Sequence, residues 1–569
     1  MPVVDDKRTI YVRKAPDLAQ EKLREKGLSP VLARVLAARG IKEADELDDT
    51  LSNLIPYDNL KNCRKAAQLL ADAIDNQEKI LIVADYDADG ATAAAIAILF
   101  LRDAGVTVDY FVPNRFEHGY GLTPEIVDIV ATKNTDLIIT VDNGIASISG
   151  VARAHELGIK VLITDHHLPG SELPQAACIV NPNQPGDNFK SKSIAGVGVM
   201  FYVLIALRSE LRDRGYFEKT GSEPNLADLL DLVALGTVAD VVPLDRNNRI
   251  LVDQGLRRIR SGKINPGIKA LLRVAKKNSS FVRSADFGFA VGPRLNAAGR
   301  LTDMKLGIEC LISSHSQIAM KLAEELDQLN VERRHIEGKM KDQALKILDD
   351  IETKVDAGVT LFDPQWHSGV VGILASRVKE KLNRPVIAFA LEKNGALKGS
   401  GRSIQGIHLR DVLDTLTKID PNVIDKFGGH AMAAGLTIQS DQLERFSELF
   451  NDVVTGEFKK NVIDNSIYVD GPLEEEDTTS GLAQEIRMQV WGQAFPEPSF
   501  RNELYVRTHR LLNETHTKLQ ISFSPNGALI DAIRFNFNDA VPDVINCVYR
   551  LDINDFFDHK PVQLIIETW

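Results

Sequence analysis

KILIVADYDADGATAAAIAILFL, residues 79–101, is the stretch on which the fold turns. It opens on the apolar run ILIVA (80–84) and turns through the acidic, Gly-containing DYDADG (85–90). It then passes into an alanine-rich segment of helical propensity from Ala91 to Leu101. The same grammar recurs downstream. VTVDYFV (106–112), DLIITV (136–141) and KVLIT (160–164) read as strands, with helix-like PEIVDIVATK (124–133) and SISGVARAHELG (147–158) between them. Strands that are apolar along their length and alternate with helices predict a buried parallel sheet covered on both faces. Such sheets bind ligands past the strands' C-terminal ends, where this chain puts its polar residues.

Working outward, 569 residues are too many for one core and predict three or four domains. Residues 1–60 read as an N-terminal helical appendage, and the strand–helix domain is expected over 61–310. Between about Gln317 and Ile351, Ile318, Leu322, Leu326, Leu329, Ile336, Met340, Ile347 and Ile351 recur at steps of three, four and seven. That spacing predicts one long helix within 311–352 with a narrow apolar seam, read as a connector lying on its neighbours, with a coiled-coil dimer contact as the alternative. VTLFD (359–363) and RPVIAFAL (384–391) flank a Gly-rich helical stretch, predicting a second, smaller α/β domain over 353–455. From 456 to 569, YVRTHRLL, KLQISFS, LIDAIRFNF, VINCVYRLDI and PVQLIIE are short alternating runs between turns, the pattern of a small antiparallel barrel or sandwich. The fold class expected is thus multidomain α/β with a C-terminal antiparallel β-barrel. Arg501, Arg507, Arg510, Lys518, Arg534, Phe535, Phe537 and Arg550 give that barrel the residue types of a single-strand-binding surface, while a purely structural all-β domain fits the pattern equally well.

Composition, with 44% hydrophobic and 26% charged residues, is that of an ordinary globular protein. The four cysteines, Cys63, Cys178, Cys310 and Cys547, are scattered with no CxxC pair. This argues against a disulfide framework or thiolate zinc site and fits a reducing, cytoplasmic compartment. No apolar run reaches the roughly 18 residues of a membrane span, and no secretory signal is read. The net charge of −12 counts only modestly against a nucleic-acid partner, because a groove can be basic locally and acidic residues at a metal site are cancelled by bound cations.

Five clusters carry chemistry. Asp85, Asp87 and Asp89 stand at alternate positions in DYDADG, with Gly90 allowing a tight turn. Asp142-Asn143-Gly144 follows DLIITV, Asp165-His166-His167 follows KVLIT, and Asp240 lies in GTVADVVPL (236–244), read as a fourth strand end. Arg115 and His118 lie in PNRFEHGYG (113–121). An Asp after a strand is usually only a cap. Several converging on one crevice would repel, and divalent metal resolves that repulsion. Asp/His ligation without cysteine suits Mn²⁺ or Mg²⁺, with zinc as an alternative, and two metals suit phosphoryl hydrolysis.

DYDADG, VDNG, DHH and the later Asp240 resemble the motifs of the DHH phosphoesterase family. GPRLNAAGR (292–300), WHSGVVGILASR (366–377), SGRS (400–403), FGGHAMAAG (427–435) and WGQAFPEPSF (491–500) are similar to elements of its single-strand-specific exonuclease branch, the RecJ family. The resemblance runs from about residue 60 to the C-terminus. It implies a DHH catalytic domain, the connecting helix, a DHHA1-type domain and an oligonucleotide-binding (OB-type) barrel. It further implies that Asp87 and Asp89 each hold one of two metals, Asp142 bridges them, His166 and Asp240 complete the ligand set of the second metal and Asp85 supports the first metal. His167 would contact metal or scissile phosphate, and His430 would be an active-site group of the second domain. Arg115, His118, Arg294, Asn296, Arg300, Arg377, Ser400 and Arg402 are the substrate-binding candidates, because planar guanidinium and Gly-rich turns suit phosphate. Tyr86 stands where the family often has histidine. Read as part of an alternating strand it points away from the carboxylates, so little consequence is expected.

The activity so implied is 5′-to-3′ hydrolysis of single-stranded DNA to 5′ mononucleotides in recombination and repair. The partners implied are single-stranded-DNA-binding protein and recombination helicases, with a monomeric enzyme. Competing readings are a DHH hydrolase of short RNA, cyclic dinucleotide or polyphosphate, a non-catalytic strand-binding protein, and an adaptor built on the long helix. Retention of Asp87, Asp89, Asp142, His166 and Asp240 counts against the non-catalytic reading.

Overall fold

The computed structural model describes residues 9–114, 121–350, 357–392, 394–460, 466–555 and 561–569. The chain forms two compact units, the first comprising 1–299, 303–326 and 466–569 and the second 300–302 and 327–465.

After a short strand β1 (Ile10–Val12), the first unit builds a five-stranded sheet from β2 (Ile80–Ala84), β3 (Val108–Phe111), β4 (Leu137–Val141), β5 (Lys160–Thr164) and β6 (Cys178–Val180). The strands lie in the order β3-β2-β4-β5-β6 and every pairing is parallel. All five residues of β2 and of β4 are buried, the reason these strands read as unbroken apolar runs. Helix α1 (Ala88–Asp103) returns from β2, and its alanines let α2 (Gly196–Asp213) and α3 (Leu230–Ala239) pack closely against it. Beyond α3 come α4 (Gly292–Leu301) and the long α5 (Ser316–Asp350).

The predicted long helix is present, but its first contact line is shifted. Ile318 is half exposed, while Ala319, Ala323 and Leu326 are buried. Small alanines allow the close approach that a stripe drawn through large residues overlooks. Ile351, the last position of that stripe, lies outside the described residues.

The second unit carries a mixed sheet ordered β10-β11-β9-β8-β7, from β7 (Val359–Phe362), β8 (Val386–Leu391), β9 (Ala396–Arg402), β10 (Lys426–Gly429) and β11 (Ala433–Gln439). Among the described residues of this sheet, β7 and β8 pair in parallel and the other neighbours are antiparallel. Helix α6 (Val371–Leu382) covers one face through Val371, Leu374, Ala375 and Val378, and helices Leu409–Ile419 and Leu443–Lys460 cover the other.

Back in the first unit, β12 (Ile467–Val469) pairs in parallel with β1. A closed barrel follows from β13 (Phe500–Leu512), β14 (His516–Ser522), β15 (Ile530–Arg534), β16 (Val544–Ile553) and β17 (Val562–Thr568), in the order β13-β14-β15-β17-β16. Its expected binding residues are variously engaged. Arg550 is paired with Glu497 and Glu567, Lys518 with Asp531, and Arg534 lies against the rings of Phe537 and Trp569 at 3.9 and 3.8 Å. Phe535 is half exposed, whereas Phe500 and Tyr549 are buried in the barrel core.

Candidate metal centre

The parallel sheet delivers acidic residues to one edge because β2, β4 and β5 all end there. Strand alternation stops at Ala84, so the three carboxylates of DYDADG are not spaced along a strand as expected. Asp85 accepts the Tyr86 amide at 2.7 Å. Asp87 caps α1, its Oδ1 accepting the amides of Asp89 and Gly90 at 2.9 and 3.0 Å. Asp89 lies in the first turn of the helix, 1% exposed, and its two oxygens accept the amides of Gly196 (2.6 Å) and Val197 (2.8 Å) that open α2.

Asp142 follows β4 at φ 61°, in the left-handed region that Asp tolerates better than most residues. A side chain at Gly196 would place its Cβ 2.6 Å from Asp142 Oδ1, so only glycine fits behind this carboxylate. Asp240 reaches the same place differently from the expectation. It ends α3 and follows no strand. LDLVALGTVA is apolar all round because its helix is enclosed, and periodicity cannot distinguish such a helix from a buried strand.

These residues converge. His166 Nε2 stands 3.1 Å from Asp142 Oδ1, 3.4 Å from Asp240 Oδ2 and 3.9 Å from Asp89 Oδ2. Among the described residues, three groups each bring candidate ligand atoms within 4.8 Å of one another: Asp85–Asp87–Asp142, Asp89–His166–Asp240 and Asp142–His166–His167. Asp142 Oδ1 and His166 Nε2 are both buried and, despite their proximity, make no hydrogen bond among the described residues. Burial, then the charge of His167, pulls the His166 imidazole down to about 4, leaving it neutral at pH 7. Two buried donor atoms thus stand side by side without a hydrogen-bond partner, the donor set a divalent cation takes.

Electrostatics lead to the same conclusion. Burial, and then the neighbouring carboxylates led by Asp89, push Asp142 and Asp240 well above the usual carboxylate range. Burial and Asp87 push Asp89 to about 7. Such a cluster holds its full negative charge only against bound cations.

His167 is different. Burial pulls it down, but its 2.7 Å bond to Asp165 and the charges of Asp165 and Asp240 outweigh burial and raise it to about 9. Asp165 organises the whole turn. It accepts the amides of His166 (2.7 Å), His167 (3.0 Å) and Ile145 (2.9 Å) while pairing with His167.

Sequence reasoning passed over this organising role, and over Asn181 and Asn183, whose side-chain amides donate to the carbonyls of His167 and His166. The signal was available in the NPN turn that follows CIV, one more turn after a short apolar strand.

Arg294 and Asn296 lie in α4 in the same unit. Asn296 Oδ1 accepts the Ala88 amide at 2.8 Å, and Arg294 donates to the Ala290 carbonyl at 2.6 Å. Arg300, Arg377, Ser400 and Arg402 belong to the second unit. Arg300 donates to the Gly369 carbonyl at 3.2 Å, and Arg377 pairs with Glu337 and Glu380. Arg402 donates to Ser400 Oγ (3.2 Å) and to the Gly401 carbonyl (2.8 Å), beside the first turn of α6. His430 is exposed in the turn between β10 and β11. Arg115 and His118 lie outside the described residues.

Comparison with known proteins agrees with this layout. Family models match the DHH family N-terminal domain over 79–237, the DHHA1 domain over 355–456 and the RecJ OB domain over 469–568. The chain is 48% identical over 552 residues to the single-stranded-DNA-specific exonuclease RecJ of Escherichia coli, spanning 95% of this chain and 96% of that one. It is 32% identical to the Bacillus subtilis protein of the same name, spanning 95% and 68%. Among solved structures, RecJ of Thermus thermophilus in complex with Mn²⁺ superposes with a TM-score of 0.81 at 28% identity, covering 99% of this chain and 79% of that one. The same protein with Mg²⁺ gives 0.76 at 27% identity, covering 98% and 77%.

Proposed function

The chain belongs to the RecJ family of single-stranded-DNA-specific exonucleases, and from that premise we propose that it hydrolyses single-stranded DNA from the 5′ end, releasing 5′ mononucleotides in DNA recombination and repair. The observation that carries the proposal is the pair of buried, unbonded donors, Asp142 Oδ1 and His166 Nε2, among four further carboxylates.

Asp85 and Asp87 would hold one divalent cation, Mn²⁺ or Mg²⁺, and Asp89, His166 and Asp240 a second, with Asp142 between them. Bound there, the cations supply Lewis acidity that generates hydroxide near neutral pH and offsets charge developing on the phosphoryl oxygens. The protein's own groups position the strand. His167, held in place by its 2.7 Å bond to Asp165, would contact a metal or the scissile phosphate. Ser400 and Arg402, beside the first turn of α6, form an anion site suited to a terminal 5′ phosphate. Arg115, His118, Arg294, Asn296, Arg300 and Arg377 complete the substrate set, with His430 an active-site group of the second domain.

The domains divide as an N-terminal segment (1–60), DHH catalytic domain (61–310), connecting helix (311–352), DHHA1 domain (353–455) and OB-type barrel (456–569). The enzyme works as a cytoplasmic monomer with single-stranded-DNA-binding protein and recombination helicases as partners.

The test compares wild type with Asp142→Ala on 3′-labelled, 5′-phosphorylated single-stranded DNA and RNA of equal length, with and without Mn²⁺. Progressive shortening of DNA by wild type with metal alone is the expected result. Intact DNA with rapid loss of short RNA would replace this reading with an oligoribonuclease, and cleavage by Asp142→Ala would remove the metal centre from the chemistry.

A further inference from the structure

One aromatic residue stands out because the fold holds it in water. Phe289 is 88% exposed, although Phe287, Ala290 and Val291 around it are buried. It sits in Phe287–Val291, a π-helical turn, and that rare wider turn rotates it out of the packed face. An apolar ring in water and a π-turn both oppose stability, and such departures from regular structure cluster where function requires them.

The location gives the exposure a purpose. Gly292 follows the π-turn so closely against the end of α3 that a Cβ there would lie 3.1 Å from the Cβ of Ala239, next to Asp240. Further along α4, Asn296 holds the Ala88 amide. A Cβ at Gly299 would come within 1.9 Å of the Tyr86 carbonyl oxygen. Residues 287–299 therefore run along the metal centre from its Asp240 side to its Asp87 side, and Phe289 stands at the Asp240 end.

A second outlier sits at the same end. Val241, the residue after Asp240, has φ 59° and is 62% exposed. The residue just past a helix end favours glycine in this conformation, and a β-branched side chain is disfavoured. Two exposed apolar side chains thus lie around the end of α3, at positions where polar or small residues would be more stable.

We propose that Phe289, at the end of α3 that Val241 follows, forms an apolar shelf on which a nucleobase of the bound strand stacks, fixing the register of that strand at the metal centre. The inference rests on the nuclease reading above and adds a residue to it. Stacking on an aromatic ring is tolerant of sequence, because every base has a π-face. It selects for single strands, because a base in a duplex already has both faces covered by its neighbours. Arg294, five residues on in the same segment, supplies a cation for the adjoining backbone.

The test uses full-length wild type, Phe289→Ala and Phe289→Trp with Mn²⁺ on 3′-labelled, 5′-phosphorylated single strands. One set is unmodified, and another carries a single abasic residue at successive positions from the 5′ end. Phe289→Ala should raise KM by roughly tenfold or more, the scale of one lost base stack, with kcat and thermal midpoint near wild type. Phe289→Trp should restore KM. Wild type should slow when the abasic residue reaches one fixed position, and Phe289→Ala should lose that dependence. A wild-type KM in Phe289→Ala, or unchanged abasic dependence, overturns the shelf while leaving the nuclease reading intact. Failure of wild type to shorten any strand overturns both.

Discussion

Asp142→Asn separates the chemistry of the metal centre from its stability. The substitution keeps the shape of the side chain and, at φ 61°, a residue type that accepts left-handed backbone, while removing one charge. Asp142 is 1% exposed, and His166, 3.1 Å away, is neutral and cannot compensate it. Burial and the charges of Asp89, Asp87, Asp240 and Asp85 all oppose ionisation. In metal-free protein that opposition is a folding penalty. Near pH 7 the folded state must suppress an ionisation that the unfolded chain makes freely, so Asp142→Asn should stabilise the metal-free fold by about 2–4 kcal/mol. With metal the order reverses. A ligand at a hundred times its Kd stabilises the folded state by about 2.7 kcal/mol, a gain the variant should largely lose. The assay is urea unfolding of both proteins in EDTA and across a Mn²⁺ titration, with degradation of single-stranded DNA measured alongside. Activity should fall at least roughly 100-fold, since even outer-shell partners of metal ligands account for 10- to 100-fold. A variant no more stable than wild type in EDTA, or one stabilised equally by Mn²⁺, would refute the account of Asp142 as a repelled ligand.

Other perturbations follow from the same geometry. Gly196→Ala puts a Cβ 2.6 Å from Asp142 Oδ1, so Mn²⁺-induced stabilisation and activity should drop together; a variant with wild-type metal response would show that the carboxylate can move aside. Asp165→Asn removes the counter-charge of His167 and presents an amide to donors now held by carboxylate. Stability should fall by about 1–3 kcal/mol, with kcat down about 10- to 100-fold and KM less affected; loss in KM alone would reassign Asp165 to substrate binding. Asp49→Asn tests linkage away from the site. Burial, then Asp253, raises Asp49 to about 6, so the folded state prefers the proton. The penalty is absent below about pH 4, grows as pH rises through the folded value and is complete above it. Because the group is partly exposed, the variant should gain only about 1–2 kcal/mol at pH 8 and nothing near pH 4. Equal stability at both pH values in urea titrations would refute that assignment.

How much of this was legible depended on how local the physics is. The parallel sheet was readable because strands buried on both faces leave unbroken apolar runs, and β5 fell where KVLIT placed it. The carboxylates were readable because a βα turn puts strand-end residues and helix caps at one sheet edge. Asp240 was expected after a strand and instead ends a helix, since an enclosed helix has no polar face to betray its period. Asp165 was visible in DHH, but its role depends on bonds that only the folded turn creates.

The N-terminal segment was illegible for a related reason, because its partners are hundreds of residues away. Arg39 donates to both oxygens of Asp470 at 2.8 and 3.0 Å, and to the carbonyls of Val35 and Pro496. It also lies over the ring of Trp491, while β1 pairs with β12. On its other side the same segment reaches the catalytic body, where Arg246 and Gln254 donate to the carbonyls of Asp45 and Asp49. A buried arginine that makes four hydrogen bonds, two of them to one carboxylate, is worth most where geometry must be fixed. No window of sequence around Arg39 contains Asp470, so a helical appendage was the most that local patterning supported. In the folded protein the segment is a strap joining the stretch that leads into the barrel, residues 467–496, to the helix Arg246–Arg260.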